Sequence, residues 1–139
     1  MRTASLNALI MTLVLALGSC SPAGQIDLEG TAWELTYING NPLIEGTSIT
    51  LFFEGEGIRG GSGCNTYFGG FTLAPAGGIQ LSDIGMTEMA CLEPEGLMAQ
   101  ESTYLGLLGD VERAVLQGDQ LTLQDASGQD VLVFTAASG

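Results

Sequence analysis

Three cysteines, Cys20, Cys64 and Cys91, are the residues of this chain best suited to chemistry. The usual partners for catalysis are missing. There is no histidine or lysine, and beyond Arg2 only Arg59 and Arg113 face 16 carboxylates. Acid–base and nucleophilic mechanisms lean on the absent types. Ser62 in Gly60-Gly61-Ser62-Gly63 glances at a nucleophile elbow. That motif needs a fifth-position glycine, where Cys64 stands, and a histidine base. A tight bend built from small residues is the plainer reading. Asp125, Ser127 and Asp130 have calcium-loop chemistry without its spacing or distal glutamate, which leaves a solvated hairpin turn. Glu88 and Glu101 sit among apolar neighbours and are expected near the core. Arg59 is their expected counter-charge in a structural ion pair. Asn65 is expected to tie down backbone through its amide. These readings predict no catalytic residue, no cofactor and no metal.

The cysteines divide by position. Cys20 closes Leu17-Gly18-Ser19-Cys20, which resembles the bacterial lipobox cleaved before a lipidated cysteine. Upstream, Arg2 and the apolar run Leu6 to Leu17 read as a signal peptide. A helix of about 12 residues spans about 18 Å, too short for a hydrocarbon core of about 30 Å. The expected organisation is a lipoprotein signal peptide over 1–19, a lipidated tether over 20–25 and one domain over 26–139. The location expected is the cell envelope, outside the cytoplasm, with the lipid as the membrane link. With Cys20 acylated, Cys64 and Cys91 remain, and in an oxidising compartment a disulfide is the economical expectation. A reduced pair, or a metal or redox pair, stays open. A zinc site would need about four ligands without any histidine.

The elements that must position these residues are mostly strands. Trp33, Leu35 and Tyr37 alternate within Thr31–Ile38, and Ser48–Glu54, Ile58–Gly61, Cys64–Leu73 and Ile79–Ile84 follow. One helix is expected near Pro94, with Leu97, Met98, Tyr104, Leu105 and Leu108 on one stripe, Glu101 interrupting it, and Gly109 as C-cap. Val111–Leu116, Gln120–Gln124 and Val131–Thr135 complete about eight strands. Trp33, Tyr37, Phe52, Tyr67 and Phe71 are expected to line the core. The predicted fold class is mainly β (α+β): an antiparallel β-barrel-like domain with one helix packed against it.

Several local patterns coincide in order. They are Leu28-Glu29-Gly30-Thr31-Ala32-Trp33, Gly63-Cys64-Asn65, Thr87-Glu88-Met89-Ala90-Cys91, Glu101, and Gln120-Leu121-Thr122-Leu123. From Leu28 to Phe134 the chain resembles the META domain of HslJ-like heat-shock lipoproteins. The motif residues are Trp33, Gly63, Cys64, Asn65, Thr87, Met89, Cys91 and Glu101. The resemblance implies a compact barrel-like domain and an envelope role in stress tolerance. It supplies no catalytic residue to carry over. Lysine and histidine are absent, so a charge-based role of a basic relative would not transfer.

The function expected is a non-enzymatic envelope lipoprotein contributing to stress or antibiotic tolerance. The alternatives are an acidic binding or inhibitory module for a cationic protein partner, and a carrier of a small apolar ligand in the barrel. The acidic balance argues against nucleic acid as a partner, because phosphates would be repelled.

Overall fold

The computed structural model describes residues 25–138; the expected signal peptide and Cys20 lie outside them. In β1 (Ala32–Ile38), Trp33 and Leu35 turn inward, as a period of two requires. A register shift between Leu35 and Tyr37 then breaks the alternation. The bulge brings Ile38 inside and leaves Tyr37 46 % exposed, which corrects its expected place in the core. Asn39 (φ 49°) and Gly40 (φ 76°) take left-handed backbone, and the chain folds back as the two-residue β2 (Asn41–Pro42).

β3 (Thr50–Glu54) and β4 (Gly57–Gly61) form a tight hairpin. Leu51 and Phe53 point inward, so Phe52, expected in the core, is only half-buried. β5 (Thr66–Ala74) and β6 (Gly78–Met86) form the next hairpin through a turn at Pro75–Gly77. After α1 (Leu97–Asp110), the chain continues as β7 (Val111–Gln117), β8 (Gln120–Asp125) and β9 (Asp130–Ala136). All pairings are antiparallel, and β1 pairs with both β3 and β9, closing an eight-stranded barrel with β2 outside the ring. The seam between β6 and β7 rests on one ladder pair, Gly78 with Arg113. The helix connects these two strands and packs against β6 and β9.

The helix differs from expectation at both ends. Pro94 precedes the first helical residue, and Gly96 at φ 84° makes the entry. Gly109 lies inside the helix. Val111 follows in extended backbone, so the chain enters β7 directly without a left-handed cap. The inward stripe is Leu97, Glu101, Tyr104 and Leu108, one residue per turn.

Phe53, Tyr67, Tyr104, Leu121, Leu123 and Phe134 are fully buried within one core cluster. Tyr104 stands edge-on to Tyr67 and Phe134, with centroids 5.6 and 6.5 Å away. Each such side chain contributes about 1.5–3 kcal/mol on burial. The inward side chains of the barrel belong to this one core cluster.

Strand β4 lies so close to β3 that a side chain at Gly60 would overlap the carbonyl oxygen of Thr50. Gly60→Ala is therefore expected to cost about 3 kcal/mol, because backbone rather than a flexible side chain must yield. Urea denaturation checks this, and a variant as stable as the parent would contradict the close approach.

Candidate functional site

The motif residues from distant parts of the sequence meet around one buried carboxylate. Glu101 projects inward from the second turn of α1 and is 1 % exposed. Its Oε2 accepts the Ser62 hydroxyl at 2.7 Å, the Asn65 backbone N–H at 2.7 Å and the Cys64 backbone N–H at 3.1 Å. Its Oε1 accepts the Asn65 side-chain N–H at 2.6 Å. Two successive backbone N–H groups can converge on one oxygen because the loop turns at Gly63, whose φ is 115°. A β-carbon there would also press on Leu97 of the helix.

Asn65 extends the cluster. Its Oδ1 accepts the Thr87 hydroxyl at 2.9 Å and the Met89 N–H at 2.6 Å. Its Nδ2 donates to the Met89 carbonyl at 3.1 Å as well as to Glu101. One amide thus binds both backbone groups of Met89, as a neighbouring strand would, and uses its full donor and acceptor capacity. Thr87 Oγ1 in turn accepts the Thr66 N–H at 3.1 Å. Beside this network Cys64 and Cys91 form a disulfide with Cα atoms 5.9 Å apart. Closing that separation of 27 residues adds about 3–4 kcal/mol in the chain-entropy account.

Burial by itself would push the Glu101 carboxyl up. Donation from the Asn65 N–H, the Ser62 hydroxyl, the Asn65 amide and the Cys64 N–H outweighs it, and the group is held below its ordinary value. Its ionised form is stabilised by dipoles, and among the described residues no cation pairs with it. Arg59 instead pairs with Glu54 at 2.8 Å on the surface and stacks 4.9 Å above the Phe52 ring. This corrects the expected buried pairing of Arg59 with Glu88 or Glu101. Glu88 is exposed as well, because the segment carrying it runs outside the barrel. Glu101 needs no guanidinium because hydrogen-bond donors already saturate it.

A second buried pair lies one helical turn further on. Tyr67 and Tyr104 share a hydrogen bond of 2.6 Å between hydroxyls, and Tyr67 donates to the Thr50 carbonyl at 2.7 Å. Tyr104 is therefore the donor within the pair. Burial raises both phenols well above their ordinary value, so both stay neutral. At the β8–β9 turn, Asp125 Oδ1 accepts the Ser127 hydroxyl at 2.6 Å and the N–H groups of Ser127 and Gln129. Ser127 is the main reason that carboxyl lies below its ordinary value. Among the described residues, no group of three or more His, Cys, Asp or Glu could hold a metal.

Trp33 stands apart from the cluster, buried in β1 with its indole N–H donating to Thr31 Oγ1 at 2.7 Å. The remaining motif residues, Gly63, Cys64, Asn65, Thr87, Met89, Cys91 and Glu101, come together. The Ser62 hydroxyl on Glu101 and the Tyr67–Tyr104 contact go beyond what the sequence indicates, where Ser62 reads as a serine of a tight bend that lacks the rest of a nucleophile elbow. An available signal was the polar Glu101 inside an apolar helical stripe, which demands buried donors from elsewhere. A surface groove of about 800 Å³ lies instead along the β6–β7 seam beside Thr72, Ile79, Val111 and Asp125.

The fold and cluster define a small closed β-barrel whose helix is latched by a buried carboxylate. The META domain model matches residues 26–138, and the chain belongs to that family. A protein from Burkholderia xenovorans solved by NMR has a similar fold: TM-score 0.67, 27 % identity, covering 96 % of this chain and all of that one. A second NMR structure matches with TM-score 0.61 and 25 % identity, over 78 % of this chain and 90 % of the other. No curated protein matches the sequence.

Glu101→Gln is expected to destabilise the protein by about 2–3 kcal/mol at neutral pH, since an amide opposes the Asn65 donor and weakens charge-assisted bonds. The folded carboxyl titrates below its ordinary value of 4.5. Its contribution is thus fully present above that pH and is lost as pH falls through the folded value. Chemical denaturation across the acid range should show parent and variant converging on the acid side. A constant difference would refute the ionised latch. Separately, Cys64→Ser with Cys91→Ser should cost about 2–5 kcal/mol, while unreduced parent protein, denatured, should expose no alkylatable thiol from this pair.

Proposed function

We propose that the protein is an HslJ-like, non-enzymatic envelope lipoprotein whose META domain supports stress or antibiotic tolerance at the cell surface. The observation that carries the reading is Leu17-Gly18-Ser19-Cys20 followed within a short tether by a domain that contains a disulfide. A cytoplasmic protein would be kept reduced. The polar groups of the cluster support a structural role, since Ser62, Asn65, Thr87 and Glu101 are engaged with one another or with backbone. Hydrogen bonding there satisfies the carboxylate and leaves it a poor proton acceptor.

A second reading is an acidic binding or inhibitory module for a cationic protein. The charge balance favours it, because such a surface steers basic partners within a Debye length of about 10 Å at 0.1 M salt.

In the host, Cys20→Ser should move the protein from the membrane fraction to the soluble fraction and abolish labelling by radioactive palmitate. Stable anchoring takes more than one acyl chain, and this cysteine is where they attach. The same strain and a gene deletion should lose survival under heat or envelope-active antibiotics. Palmitate labelling that survives the substitution, or unchanged survival of the deletion strain throughout, would overturn the corresponding half of the reading.

A further inference from the structure

Residues 87–96 run from the end of β6 to the start of α1 without regular structure, yet they are fastened at several points. The Thr87 N–H donates to the Thr66 carbonyl at 3.0 Å. Met89 is bound through both backbone groups to Asn65. Cys91 is fixed by the disulfide, and its N–H meets Met98 Sδ at 3.4 Å. This strap nevertheless presents apolar side chains to water: Met89 is 58 % exposed and Leu92, next to the disulfide, 89 %. Phe68, 61 % exposed, lies over Gly85 close to where the strap leaves the sheet.

Isolated surface leucines are ordinary. A leucine and a methionine on a stapled segment are different, because the ordering cost of the backbone that carries them is already met by the fold. Methionine also adapts to varied apolar partners. The charges around them select the occupant. Glu88, Glu93 and Glu95 are exposed on the same strap, and residues 87–96 contain no cation. Anionic headgroups would be repelled by these carboxylates. A second copy of the chain, with 16 acidic residues against few arginines, would be repelled likewise.

We propose that the strap is a docking surface for an amphipathic, cationic segment of another protein, with Met89 and Leu92 as anchors and Glu88, Glu93 and Glu95 as charge partners. This inference rests on the binding-module reading and gives it a location. The strap departs from the barrel through the Asn65 cluster, so that cluster sets the presentation of both anchors.

The test uses the exported domain with its disulfide intact and a fluorescent amphipathic peptide of leucine and lysine as probe. Leu92→Ser combined with Met89→Ser should weaken binding about tenfold or more, the usual loss when buried anchors are removed. Glu88, Glu93 and Glu95 changed together to glutamine should reduce the salt dependence of binding. Asp119→Asn with Asp130→Asn, a control on other surface carboxylates, should leave affinity within about twofold. Binding that is unchanged in the Leu92/Met89 variant would overturn the strap while leaving an acidic binding module in place. No binding by the parent domain would overturn both. Vesicles of phosphatidylcholine that capture the parent through Met89 and Leu92, with no peptide binding, would assign the surface to lipid and overturn the proposal.

Discussion

A charged carboxylate inside a small barrel is costly unless donors surround it. Glu101 is such a group, and much of the local architecture answers its needs. The Gly63 turn, the convergent N–H groups of Cys64 and Asn65, and the Ser62 hydroxyl supply what water would otherwise provide. Helix α1 is thereby located against the loop after β4 by a directional contact, not only by apolar packing. Apolar surfaces tolerate small slides, whereas bonds of 2.6–3.1 Å to a carboxylate do not.

The same group joins two otherwise separate parts of the molecule. Through Asn65 the cluster holds Thr87 and Met89, so the strap before the helix and the helix itself answer to one loop. The disulfide repeats that connection covalently between Cys64 and Cys91. The redundancy falls where the ladder of the barrel is shortest. At the β6–β7 seam a single ladder pair closes the sheet, and the chain crossing there is the strap and helix. Edge strands with few partners invite slippage or intrusion. A helix latched near that seam limits both.

Tyr67 and Tyr104 carry the arrangement inward. Their hydroxyls form a directed chain ending on the Thr50 carbonyl, at the place where Gly60 lets β4 approach β3. Helix, loop and sheet are thus tied by polar contacts set within an aromatic core, which favours a single register over a merely hydrophobic fit. The surface, by contrast, carries exposed apolar side chains on the strap and a broad field of carboxylates.

Strand periodicity, turn residues and the ordered motifs were enough to determine a mainly β domain with one helix, because alternation and breaker residues are local properties. Parity likewise pointed to Cys64 and Cys91, since the cysteines are few. What Glu101 touches was not legible, because its donors lie far away in sequence and two of them are backbone N–H groups that every residue type carries. The partner of Arg59 differs from expectation for a related reason: a buried acid is expected to need a cation, whereas the folded chain supplies dipoles to Glu101 and leaves Arg59 with Glu54. Tyr37 and Ile38 exchanged faces at a bulge that alternation alone does not announce. Local pattern therefore determined which segments became strands. Closure of the barrel decided which face each residue took, and which distant donors met the one carboxylate the helix brought inside.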